Sequence, residues 1–302
     1  MQPSRPHRPA HPLKGIVLLA LLSLFWGLAW PAMKIVLGEI RPWTFRAICL
    51  AAGGAGLLAL ARAGGAALRV PAGDLTPLIV TSLINITGWH ILSAYGISML
   101  HAGRAAIIAY TMPLWAILLS RLLLKEQITS ARLWALCVGS TGLALLLAPD
   151  LQAVGAAPIG ALMMVGAAVC WGAGTVLVKF FKWHMPGTLV MGWQLLIGGV
   201  PIVLGAILID PVTAIAAVSW KAIAALIFVV ALPTIFCHWA FFMVVQIFPA
   251  NVAALCTLGI PVIGAFSSAL ILEEPVTATE MVALFMIVLS LGLTSLGGRR
   301  TD

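Results

Sequence analysis

The residues in this chain best suited to chemistry are two histidines set in apolar sequence, His90 beside Trp89 and His238 beside Trp239, 148 positions apart. A neutral imidazole both donates and accepts a hydrogen bond, so such a pair can hold the carboxylate of a zwitterion, or titrate. The other reading is that each ring bonds a neighbouring helix and only holds the molecule together. Trp26, Trp30, Trp89, Tyr95, Tyr110, Trp115 and Trp171 add aromatic surface, which suits apolar, aromatic or cationic ligands, or else packs against lipid or in a belt at the membrane surface. No clustered Asp and His and no Ser-Lys pair stands where a lipid-cleaving enzyme would need one, and neither charge rings nor a filter sequence points to a channel. The chemistry on offer is binding. The cysteines, Cys49, Cys137, Cys170, Cys237 and Cys256, include no Cys-x-x-Cys pair and no histidine at metal-ligand spacing. They read as small core residues, and neither a metal nor a cofactor is expected.

The elements that must position these residues follow from composition. Of 302 residues 62% are apolar and 9% charged, against roughly 45 to 50% and about 25% in soluble domains. At ~20 apolar residues per membrane span the chain supplies on the order of nine or ten. The apolar runs predict ten helices: 14–36, 43–61, 75–99, 102–124, 131–148, 158–180, 188–209, 221–246, 250–272 and 278–296. Helices are required because lipid gives backbone amides no partner and the runs lack the alternation of barrel strands. The net charge of +8 would suggest a nucleic-acid partner in a soluble protein. Here 12 of the 17 Lys and Arg fall on the side of the N-terminus, which predicts both termini in the cytoplasm and excludes nucleic acid. The basic start around Arg5, Arg8 and Lys14 runs into apolar sequence too long for a removable signal.

An internal repeat organises these spans. Trp26-Gly27 and Lys34 recur as Trp171-Gly172 and Lys179, and Ala102, Ala105, Pro113, Glu126 and Thr129 recur as Ala250, Ala253, Pro261, Glu274 and Thr277. Five helices per copy is an odd number, so the second copy lies upside down relative to the first, the arrangement of many secondary transporters. The acids Glu39, Asp74, Asp150, Asp210, Glu280 and Asp302 fall in loops or at ends, and Glu126, Glu273 and Glu274 end helices. No carboxylate is expected at mid-membrane to carry a proton or hold a cation. Lys34 and Lys179 close helices at opposite faces and read as snorkelling side chains, or as basic mouths for a carboxylate. Arg46 and Gln194 open helices; Asn85, Gln194, Gln246 and Asn251 line a path or bond between helices. Pro113 and Pro261 remove a backbone bond in mid-helix, as gating kinks or as cavity lining. Gly53-Gly54 and Gly198-Gly199 read as helix packing.

The chain resembles the EamA family of the drug/metabolite transporter superfamily in the run from Ser23 through Trp26-Gly27 and Trp30-Pro31 to Lys34, in Phe45-Arg46, and in the segment from Pro113 to Glu126. The second copy is similar through Cys170-Trp171-Gly172, Trp193-Gln194 and Ile260-Pro261 leading to Glu273-Glu274. In size and layout it is most similar to the family's aromatic amino-acid exporters. The resemblance implies an all-α polytopic fold of ten transmembrane helices in two inverted five-helix repeats, 14–148 and 158–297, with cytoplasmic tails 1–13 and 298–302. It implies a non-enzymatic secondary transporter of the inner cell membrane, a monomer whose partners are the bilayer and a small-molecule substrate. Small neutral or zwitterionic metabolites, amino acids including aromatic ones, would be exported by alternating access. The expected walls of the central cavity are Trp26, Trp89, His90, Tyr110, Trp115, Trp171 and His238. A proton-coupled multidrug or cation exporter is the alternative, disfavoured by the missing deep carboxylate.

Overall fold

The computed structural model describes residues 12–152, 156–210, 218–247 and 259–297. All the regular elements among them are helical: α1 (Pro12–Leu37), α2 (Pro42–Ala63), α3 (Ala72–Thr81, Ser82–Gly88 and Trp89–Met99 in one run), α4 (Ala102–Ala109 and Met112–Leu123), α5 (Ser130–Gln152), α6 (Ala156–Phe180), α7 (Gly187–Ile209), α8 (Trp220–Val229, Val230–Phe236 and Cys237–Ile247), α9 (Gly259–Leu272) and α10 (Ala278–Gly297). Among the described residues eight helices are long and apolar enough to cross a membrane, and Gly259–Leu272 and Ala278–Leu293 are shorter apolar helices. The expected tail residues Arg5, Arg8, Arg299, Arg300 and Asp302 lie outside the described residues, as do Ala250, Asn251, Ala253 and Cys256.

These helices turn large apolar side chains outward as well as inward. Leu270 is 82% exposed, Leu208 81% and Phe285 68%, whereas Leu22, Phe45, Leu50 and Leu195 are fully enclosed. An apolar outer surface of this kind belongs in lipid. Without a hydrophobic force between helices in lipid, close approach rests on small residues. Gly53 and Gly54 of α2 abut Leu195 and Leu196 of α7, and Gly199 of α7 abuts Leu50 of α2. The most extensive pairings are α2 with α7, α5 with α10, α3 and α4 with α6, α1 with α8 and α9, α3 with α7, α4 with α9, and α2 with α8. This set is unchanged when α1 to α5 are exchanged in order with α6 to α10.

Three expectations need correction. Pro113 does not interrupt a continuous helix: Tyr110 and Thr111 already break α4, and Pro113 sits in the first turn of Met112–Leu123, where a missing N–H costs nothing. Pro261 stands third in the described run Gly259–Leu272. Prolines well inside helices include Pro31, Pro77, Pro201 and Pro233. Cys137 is exposed on the outer face of α5, not in the core. Lys34 is not a freely snorkelling side chain but is bonded to the carbonyls that end α3, whereas Lys179 is largely exposed and pairs with Glu126.

Candidate functional site

Two π-helical turns sit at the midpoints of the long helices α3 and α8, Ser82–Gly88 and Val230–Phe236, 148 positions apart. In α8 the cause is Pro233. It has no N–H for the carbonyl of Val229, and the Thr234 hydroxyl donates to that oxygen instead, at 2.8 Å. In α3 the matching position is Asn85, with the Ser82 hydroxyl donating to the Leu78 carbonyl at 2.6 Å. Such turns re-aim the side chains that follow them and recur at functional sites. His90 and His238 come two residues after them.

Each imidazole bonds back along its own helix, His90 Nδ1 to the Ile86 carbonyl at 2.9 Å and His238 Nδ1 to the Thr234 carbonyl at 2.7 Å. A carbonyl only accepts, so Nδ1 donates, and in the neutral ring Nε2 is left as a bare acceptor. His90 is buried and lies within Coulombic reach of Arg46 and His238. The Trp26 indole donates to the Pro233 carbonyl at 3.0 Å and stands edge-on to His238, with ring centres 5.7 Å apart. Trp89 and Trp171 pair at 4.9 Å. Gly172 lets α6 pass against the Met112 carbonyl and the Trp115 side chain, and Gly27 does the same for α1 against Ile260 and Ile263. Trp115 donates to the Thr111 hydroxyl at 3.3 Å, and Tyr110 is buried in the core against which Trp26 and Trp89 pack.

The residues read from sequence thus fall into a Trp26–His238 pair, a Trp89–Trp171 pair with Trp115 beside Gly172, and a buried His90. Arg46 was not among them. With α2 beginning at Pro42, Arg46 lies more than one turn inside the helix, 4% exposed. Its Nε donates to the His90 carbonyl at 3.1 Å, Nη2 donates to Ser93 Oγ at 2.9 Å, and the guanidinium carbon is 4.8 Å from the Phe45 ring centre. The helix-opening Pro42 was the available signal. Gln194, at the matching position of α7, donates to the Thr81 hydroxyl at 2.8 Å.

The ends of the bundle carry the remaining charges. Lys34 Nζ donates to the carbonyls of Ile97, Ser98 and Leu100 at 2.8, 3.2 and 2.5 Å, which end α3. Glu274 accepts the N–H groups of Ala102 and Gly103, which begin α4. At the opposite end Glu126 pairs with Lys179, and with Arg132 at 3.1 Å. Bonding to Lys179 holds the Glu126 carboxyl below its usual range. The residue before each glutamate, Lys125 and Glu273, has a positive φ, 56° and 55°. Asp74 holds His184 at 2.7 Å, and Asp210 accepts the Thr44 N–H and hydroxyl at 2.8 and 2.7 Å. Glu39 accepts the Ser219 hydroxyl and N–H, which lowers its pKa. A bowl of about 600 Å³ lined by Arg69, Pro71, His184 and Leu189 opens at the end of the bundle, away from the aromatic pairs. No group of three His, Cys, Asp or Glu among the described residues is placed to hold a metal ion.

Residues 13–148 and again 158–296 match the EamA-like transporter family. Two Bacillus subtilis proteins are similar over most of their lengths: Uncharacterized transporter YvbV, 29% identical across 92% of this chain and 90% of that one, and Uncharacterized transporter YoaV, 26% identical across 90% and 94%. A solved crystal structure of a protein superposes with a TM-score of 0.66 over 93% of this chain and 98% of its own, at 21% identity, which establishes likeness of fold.

Proposed function

We propose that this chain, which belongs to the EamA-like transporter family, exports small neutral or zwitterionic metabolites, amino acids including aromatic ones, by alternating access between two inverted five-helix repeats, 14–148 and 158–297. The observation that carries the reading is the placing of imidazoles and indoles directly after π-helical turns at the midpoints of α3 and α8. A zwitterion leaving water must recover hydrogen bonds for its charged ends, while an aromatic side chain gains from burial against apolar faces. His90, His238, Trp26, Trp89, Tyr110, Trp115 and Trp171 meet both demands, with Pro113 and Pro261 as gating positions. The symmetric helix pairing and the two matched stretches support the inverted repeat. The Lys and Arg excess supports cytoplasmic termini and an inner-membrane location. A cation exporter fits less well, because the buried charge beside His90 is the positive Arg46.

Uptake of a panel of labelled amino acids into liposomes holding the purified protein tests this reading. Aromatic amino acids should accumulate above empty liposomes. His90→Ala or Trp171→Ala should lower uptake strongly, while the same change at Trp134 or Trp220, 64% and 74% exposed, should do little. Equal effects in the two sets, normalised to protein, would make the inner residues packing only.

A further inference from the structure

We infer that Arg46 is the group that receives a carboxylate of the transported solute. This rests on the transport reading for its place on the path, but not for its chemistry. A charge taken out of water is costly unless it is neutralised. Arg46 is 4% exposed, yet no carboxylate among the described residues pairs with it.

Six acids among the described residues are committed elsewhere. Asp210, which bonds α2 two residues away, is taken up by Thr44. Asp74 holds His184, Glu39 holds Ser219, and Glu126 is held by Lys179 and Arg132. Glu274 is spent on the start of α4, and Glu280 accepts the N–H and hydroxyl of Thr277.

The partners Arg46 does have are dipoles: the His90 carbonyl, the Ser93 hydroxyl and the Phe45 ring. Those two hydrogen bonds use two of the five N–H donors of a guanidinium and fix its plane. The remaining donors form a fork that matches a carboxylate's two oxygens. One cation balances a monoanion, so a carboxylate suits the site better than a phosphate dianion. Acceptors for the solute's ammonium stand on the same stretch of α3 and on α8. They are the bare Nε2 atoms of His90 and His238, and Asn85, 5% exposed, whose Oδ1 has no donor. The donors and acceptors of a zwitterion site are thus divided between Arg46 and these groups.

The test uses the full chain purified in detergent and four probes, measured by calorimetry: 3-phenylpropionate, its uncharged amide, phenethylamine and inorganic phosphate. The unaltered protein should bind 3-phenylpropionate at least tenfold more tightly than the amide, and more tightly than phosphate. Arg46→Gln should abolish that preference without weakening phenethylamine binding, and Arg46→Lys should restore part of it. Acid and amide binding alike in the unaltered protein would overturn the proposal, and that comparison needs no variant to fold. An undiminished preference in Arg46→Gln, or a preference for phosphate, would overturn it as well. If amino acids are not transported but the Arg46-dependent preference holds, the substrate reading fails and the carboxylate site stands. If phenylalanine uptake is unchanged in Arg46→Gln, the reverse is true.

Discussion

At one end of the bundle Glu274, from the C-terminal half, accepts backbone N–H groups of Ala102 and Gly103 at 2.9 and 3.3 Å, while Lys34 is spent on three carbonyls at the end of α3. At the other end Glu126 and Lys179, at the matching positions, bond to each other, and Arg132 joins them. Both glutamates follow a residue with positive φ, so the chain aims the two carboxylates alike and gives them different partners. Bonds to the ends of helices require α9 and α4 to sit at one fixed spacing, and the dipole of α4 adds to them. An ion pair between flexible, part-exposed side chains tolerates movement of its helices. In the transport reading the Glu274 end is the tied end of this conformation and the Glu126 end the looser one.

Breaking the tied end should have the largest effect. Glu274→Ala removes the acceptor for two N–H groups at the start of α4, a loss of about 1–2 kcal/mol for a helix start, read as a lower midpoint of thermal unfolding in detergent. A shift no larger than that of Glu126→Gln would show that the two ends are held alike. Lys34→Met comes next. It takes charge-assisted donors from the end of α3 and should cost about 1 kcal/mol, more than Lys179→Met. If Lys179→Met costs as much, the carbonyl bonds at Lys34 contribute nothing beyond a surface ion pair.

Much of the fold was legible, because a span is a length of apolar sequence and the helix ends follow from the charges and prolines that lipid excludes. What escaped was set by contacts between distant parts. A lysine at a helix end reads as snorkelling unless one knows that the carbonyls of Ile97 and Leu100 stand beside it. Pro233 marks the π-helical turn of α8, but Asn85 gives the turn of α3 no covalent reason. The aromatic residues were recognised one by one, yet Trp89 meets Trp171 and Trp26 meets His238 only because helices from opposite halves cross there, the first pair where Gly88 lies against Cys170 and Gly174 against Asn85. Arg46 was placed at a helix start and missed, since burial against α3 depends on where α2 begins.

The smallest effect is expected at the looser end, and its pH and salt dependence sharpens the contrast. The Glu126 carboxyl is held below its ordinary value of 4.5 by Lys179, with a further contribution from Arg132. A carboxyl whose pKa is lowered on folding contributes stability at pH values above the unfolded value, and that contribution disappears as pH falls through the folded value. Lys179 is 69% exposed and Glu126 25%, so solvent screens the pair and Glu126→Gln should cost less than ~1 kcal/mol at neutral pH. The gap between parent and variant in thermal midpoint should narrow as the solution is acidified below about pH 4.5, and should close in ~1 M salt, where the Debye length is about 3 Å. Glu274→Ala should keep most of its cost in the same salt, because its bonds are to backbone N–H groups at fixed positions. A Glu126 gap that persists in acid and in salt would mean that Glu126, too, is held by something other than its cations, and the two ends would no longer differ in kind.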